Sequence, residues 1–76
     1  MKAFGYEKEK KKLLKLSEVT LECDLEEIDK IIEFLITVKE SHDAVKEKTD
    51  MCHSHFRDWD KKWNENQSDI IIVTKF

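Results

Sequence analysis

The sequence predicts a small α+β domain in which a three-stranded antiparallel or mixed sheet carries one long helix on one face. Three patterns predict it: alternating apolar residues early in the chain, helical spacing in the middle and a β-branched run at the end. In chain order they give β-β-α-β, with a short extra helix as an option near residues 56–65. The 76 residues suffice for a single domain, residues 1–76, with a thin core.

Residues 1–6 and 12–23 are predicted to be strands joined by a lysine-rich turn. In the second strand, apolar residues occupy even positions as far as Leu16 and odd positions from Val19 onward. Because a shift of one residue turns every side chain to the other face, we expect a bulge between these two residues.

The helix has the strongest local signals. Asp24 is a good N-cap, and Glu27 stands at the capping-box position that follows it. Residues at helical spacing then form one apolar stripe, which comprises Ile28, Ile31, Ile32, Leu35, Val38, His42 and Val45, with Phe34 and Ile36 at its margins. We expect a helix from residue 25 to the high forties. Leu35 lies in the middle of the stripe, so its replacement with Ala is expected to cost about 2–5 kcal/mol.

The last predicted strand, residues 70–76, is a β-branched run whose unbroken apolarity is typical of a central strand covered on both faces. One long helix covers only one face of a sheet. The second face must therefore be covered by the Trp-bearing segment near residues 56–65, by a second copy of the chain or by a foreign partner.

Residues 51–60 contain the one dense group of side chains that can ligate a metal. The candidates are Cys52, His53, His55 and Asp58, whose thiolate, imidazole and carboxylate groups would suit Zn²⁺. No second Cys/His pair closes a structural site, and no His-Glu-x-x-His motif is present. We therefore expect local hydrogen bonds from these histidines, an inert cysteine and no metal or other cofactor.

A chain of this size leaves little room for a substrate cleft, so we expect no enzymatic activity. His42, on the apolar stripe, is expected to be half-buried with one satisfied ring nitrogen. The aromatic residues of the Trp-bearing segment are either core residues or interface anchors. The candidates for binding a partner are His53, His55, Phe56, Arg57, Asp58, Trp59 and Trp63.

The formal net charge is −3, whereas nucleic-acid binders carry a basic excess that neutralises phosphates. The lysine-rich run over residues 8–15 is diluted by acidic neighbours, which favours a solvated turn over an anion-binding patch. No apolar run is long enough to span a membrane. The first six residues are followed directly by charged residues, without the apolar region that a signal peptide requires. We therefore expect a cytosolic protein with reduced thiols that binds neither nucleic acid nor membrane.

Five short segments carry a family resemblance: Phe4-Gly5-Tyr6, Leu14 to Leu21, Leu25 to Ile28 with Ile32 to Leu35, His53 to Asp58, and Ser68 to Val73. Through them the sequence resembles, over almost its whole length, a group of short bacterial proteins, the immunity protein family thirty-two of polymorphic toxin systems. The resemblance implies a cytosolic protein that binds a toxin encoded near it and blocks its activity. It brings no catalytic residues.

The sequence thus favours a small protein-binding module in the form of a toxin-neutralising immunity protein. One alternative is a homodimeric structural module that associates through its sheet face or its Trp-bearing segment. Another is a metal-binding protein that uses the Cys52, His53 and His55 cluster.

Overall fold

The computed structural model describes residues 1–76. Six elements follow one another: β1 (Ala3–Gly5), β2 (Leu14–Leu16), α1 (Leu25–Val45), β3 (Met51–His55), α2 (Phe56–Trp59) and β4 (Ile71–Lys75). The strands form two separate antiparallel pairs, β1 with β2 and β3 with β4. The α+β class is therefore confirmed, but the predicted three-stranded sheet is wrong. Neither helix combines the length and the apolarity that crossing a membrane requires.

The N-terminal hairpin, β1 and β2, is shorter than predicted. Gly5 pairs with Leu14 and Ala3 with Leu16, and the chain leaves the hairpin after Leu16. The expected bulge before Val19 does not form, because residues 17–24 lie outside any strand and have no strand beside them to bulge against.

Helix α1 begins and ends close to where its local signals predict. The backbone N–H of Glu27 donates to Asp24 Oδ1 at 2.8 Å, and the N–H of Asp24 donates to Glu27 Oε1 at 3.1 Å. Both halves of the capping box are therefore present, and they satisfy two of the donors that a helix N-terminus leaves unpaired. The last helical residue is Val45, with Lys46 as the C-cap.

The buried face of α1 differs from the predicted stripe. Phe34, Val38 and His42 are the three buried residues of the chain, one turn apart from each other, whereas Leu35 is 43% exposed. The prediction that Phe34 lies at a margin and Leu35 at the centre is wrong. A two-stranded sheet covers only a narrow strip of helix, so most of the broad apolar stripe stays in solvent.

The C-terminal sheet pairs β3 with β4 in antiparallel register, with His53 opposite Val73. Each strand has only one neighbour, and β4 alternates between exposed and half-buried residues. The prediction of a central strand covered on both faces is therefore wrong. The inward-facing side chains Ser54, Ile72 and Thr74 lie toward α1, and the opposite face of this sheet has no layer over it.

Helix α2 is a single turn that ends at Trp59 rather than near residue 65. The N–H of Asp60 donates to the carbonyl of Phe56, but Asp60 itself has an extended backbone that ends the helix. The turn brings Phe56 and Trp59 onto Phe34, with ring centroids 5.3 Å and 5.8 Å away from it. This aromatic cluster is the centre of the apolar core.

Candidate protein-binding cleft

His42 holds α1 against the C-terminal sheet. Its Nδ1 lies 2.7 Å from Thr74 Oγ1 and its Nε2 lies 2.9 Å from Ser54 Oγ, so one ring bridges both strands. The side chain is 2% exposed and both nitrogens have partners, which corrects the expectation of a half-buried ring with one satisfied nitrogen. Because a buried polar group without a partner is costly, this pair of bonds fixes the distance and register of the helix over the sheet.

An open cleft of about 360 Å³ lies where α1, the free edge of β3 and α2 meet. Three of its nine lining residues are hydrophobic and six are polar. It is lined by Phe34, Thr37, Val38, Ser41, His53, Ser54, His55, Asp58 and Trp59.

The cleft contains four of the seven partner-binding candidates. His53, His55, Asp58 and Trp59 line it. Strand alternation explains the pair of histidines, since residues two apart on β3 point to the same side, and their ring centroids lie 5.5 Å apart. These four side chains therefore lie close enough together to contact the same surface of a bound partner.

The other three candidates lie elsewhere. Phe56 packs in the aromatic core and Arg57 is exposed outside the cleft. Trp63 is half-buried in the loop over residues 60–68, where its indole N–H donates to the carbonyl of Ser68 at 3.1 Å. Because that bond closes the loop on itself, Trp63 has a local structural role.

Asp69 is a positioning residue that the sequence did not reveal. Its Oδ2 lies 2.7 Å from His55 Nδ1, and its Oδ1 accepts from the backbone N–H of Arg57 at 2.9 Å. Because a carboxylate only accepts, Nδ1 of His55 is the donor in this bond, and the bond fixes the orientation of the ring. No local pattern connects residues fourteen positions apart, so only the folded chain shows this pair.

The proposed metal ligands are divided between two faces of β3. Cys52 lies on the side of the strand opposite to His53 and His55, because alternate residues point to opposite faces. No group of three or more His, Cys, Asp or Glu side chains is close enough together to hold a metal ion. The thiol of Cys52 is not bonded to Cys23, and both cysteines are free.

The chain exposes more surface than a compact monomer of its mass. The accessible area is 7046 Å² for a mass of 9.1 kDa, whereas a compact monomer of that mass exposes about 4,900 Å². Apolar side chains account for much of the exposed surface, among them Phe4 and Leu14 of the hairpin, Ile28, Ile32 and Leu35 of α1, and Met51, Ile71 and Val73 of the C-terminal sheet.

Chemically, the cleft combines hydrogen-bonding groups with an aromatic side wall. His53 makes no hydrogen bond through its ring, and Asp58 is exposed. Groups of this kind suit recognition of a polar surface with an apolar centre, which is the usual composition of a protein–protein interface.

Comparison with protein-family models, curated proteins and solved structures found no match to the chain.

Proposed function

We propose that the chain is a small protein-binding module that neutralises a bacterial toxin by covering part of its surface. The observation that carries the proposal is the excess of exposed surface, about 2,000 Å² above that of a compact monomer. One partner contributes about 800 Å² to an interface of standard size. The chain therefore has more uncovered area than one such interface needs.

The cleft is the proposed contact region for the toxin. Its exposed polar groups, His53 and Asp58, supply hydrogen bonds, and Trp59 supplies an apolar wall that is already partly desolvated by Phe34. An inhibitor that works in this way needs no catalytic residue of its own, because occupying the surface of the target is sufficient. We also propose that the protein acts in the cytosol, where a toxin made by the same cell would have to be blocked.

The resemblance to the immunity proteins, taken over the whole chain, favours a toxin as the partner, and the His53 to Asp58 segment is the part most similar to that family. In the structure this segment runs from the free edge of β3 into α2 and supplies four residues of the cleft: His53, Ser54, His55 and Asp58.

The test uses the toxin encoded beside the gene for this chain as the binding probe. Both proteins are purified, and binding is measured by titration calorimetry together with relief of growth arrest in a bacterial host. We expect saturation at a 1:1 ratio, and we expect the double variant His53→Ala/Asp58→Ala to weaken binding by about tenfold or more. Both side chains are exposed, so the variant should fold normally.

The matched control is Lys39→Ala/Glu40→Ala, two exposed changes on α1 that lie outside the cleft. It should bind like the unchanged chain. Absence of binding to the neighbouring toxin would overturn the proposed function, whereas equal weakening by both double variants would overturn only the cleft as its location.

Self-association is the second candidate function, favoured by the uncovered outer face of the C-terminal sheet. Met51, Ile71 and Val73 are each about half exposed on that face. Light scattering on the purified chain alone distinguishes a stable dimer from a monomer whose outer sheet face is covered only when another protein binds.

A further inference from the structure

The free edge of β4 has a defined set of unpaired backbone groups. At one end of the sheet the N–H of Phe56 donates to the carbonyl of Ile70 at 2.8 Å, and at the other the N–H of Phe76 donates to the carbonyl of Asp50 at 3.0 Å. In an antiparallel pair, alternate residues bond across the ladder. The even-numbered residues of β4 therefore point their backbone groups toward β3, and the odd-numbered residues point theirs away.

The outward groups belong to Ile71, Val73 and Lys75, and no other strand lies on that side of β4. Natural proteins protect such edges with charged side chains, lysine above all, and with proline or bulges. The chain contains no proline, and Lys75 at the end of β4 is the single charged residue in the strand. The middle of the edge thus consists of β-branched apolar residues with open hydrogen-bonding groups.

We propose that β4 pairs antiparallel with β4 of a second copy of this chain, about a two-fold axis at Val73. In that register the N–H and carbonyl of Val73 bond to those of its symmetry mate, and Ile71 pairs with the partner's Lys75. Because all the outward groups belong to odd-numbered residues, this register satisfies every one of them at once. The two C-terminal sheets then join into one four-stranded sheet in the order β3-β4-β4-β3.

The strand that pairs with this edge is β4 of a second copy, because the outward backbone groups and side chains of β4 match those of an antiparallel β4. A two-fold axis at Val73 places two β-branched side chains directly opposite each other, a favourable cross-strand pair, and brings Ile71 of each copy near them on the same face. The joined outer face also collects apolar side chains that each copy alone leaves about half exposed. The chain as a whole exposes about 2,000 Å² more than a compact monomer of its mass, and the outer sheet face beside this edge is part of that surface.

Two proline variants test the pairing, because proline removes one backbone donor. Val73→Pro removes a donor that points away from β3, so the β3–β4 ladder is kept; proline is tolerated at such an edge position. His53→Pro is the matched control: it lies directly across the ladder from Val73 and removes an outward donor on the opposite edge of the same sheet. Molecular mass is measured by light scattering and folding by circular dichroism.

The unchanged chain and His53→Pro should both have about 18 kDa, twice the 9.1 kDa of one chain, and Val73→Pro should have the mass of one chain with an unchanged spectrum. A monomeric unchanged chain would overturn the proposal, as would a dimer that persists in Val73→Pro. A dimer lost only in His53→Pro would place the contact on β3 and would also overturn it.

Amide exchange of the unchanged chain gives a second measurement that does not depend on how a variant folds. The amide of Val73 should exchange slowly at high protein concentration and fast on dilution, whereas the amide of Thr74, which bonds inside the ladder, should be protected at both concentrations. Fast exchange of the Val73 amide at every concentration would refute pairing through this edge.

Discussion

Replacement of Phe34 with Ala gives the sharpest test of the core. Phe34 is 1% exposed and is the only large side chain that the fold buries completely. It contacts Phe56 edge-on and Trp59 at a tilt. These two rings connect α1 to α2, so removal of the Phe34 ring would weaken the packing of the short helix on the long one and take an apolar residue out of the cleft lining.

The expected loss is large in comparison with the stability of a chain of this length. A buried Phe→Ala change costs about 3–5 kcal/mol. A domain of 76 residues is stable by roughly 4–11 kcal/mol in total. Phe34→Leu, which keeps the apolar volume but loses both aromatic pairs, should cost about 1–3 kcal/mol, since each pair contributes about 0.5–1.5 kcal/mol.

The neighbouring residue provides the control. Leu35 is 43% exposed, so Leu35→Ala should cost about 1 kcal/mol or less, instead of the 2–5 kcal/mol that a buried position would cost. Urea titration followed by circular dichroism gives the free energy of unfolding of each variant at one fixed protein concentration. If Leu35→Ala destabilised the chain more than Phe34→Leu, the helix would face the sheet with the stripe that the sequence predicts, and the packing described above would be refuted.

The remaining predictions concern polar contacts. Asp24→Ala removes the side-chain acceptor for Glu27 N–H and should lower the free energy of unfolding by about 0.5–2 kcal/mol; an unchanged urea midpoint would show that the cap does not contribute. His42→Ala and Thr74→Val, alone and combined, should give a coupling energy of about 0.5–1.5 kcal/mol in a double-mutant cycle. A coupling near zero would mean that the bond in the core does not stabilise the fold.

Local signals in the sequence were sufficient to predict the helix. The capping box and the apolar spacing depend only on residues within a few positions of each other, and the structure has both in place. The rotation of the helix could not be predicted in this way. The stripe is broad enough to face a sheet with either Phe34 or Leu35 at its centre. The contacts of Phe34 with Phe56 and Trp59, together with the bonds from His42 to both strands, select Phe34, and all of them join residues distant in sequence.

Strand β3 illustrates why the sheet was harder to predict. A half-buried strand normally alternates apolar and polar residues, but the inward positions of β3 are Cys52 and Ser54. Ser54 can occupy an inward position because its hydroxyl is hydrogen-bonded to the ring of His42, which lies twelve residues earlier in α1. Without knowledge of that bond, the sequence of β3 suggests a loop whose histidines bind a metal, and not a strand whose outer face carries them.

Part of the cleft could be predicted and part could not. The concentration of aromatic and titratable side chains in the segment from His53 to Trp59 predicts that this segment contributes to a binding site. Helix α1 contributes four side chains: Phe34 and Val38 belong to its apolar pattern, but Thr37 and Ser41 carry no such signal in the sequence. They lie in the cleft only because the helix packs beside the free edge of β3.

The bonds of Asp69 also determine where the chain can be lengthened. By bonding to His55 and to the backbone of Arg57, Asp69 closes the neck of the loop over residues 60–68, so the two strands do not depend on the length of that loop. Doubling the length of a closed loop costs only about 0.6 kcal/mol of chain entropy. A reporter peptide inserted in the exposed part of the loop, after Glu65, should therefore leave the sheet intact and label the protein at a site outside the lining of the cleft.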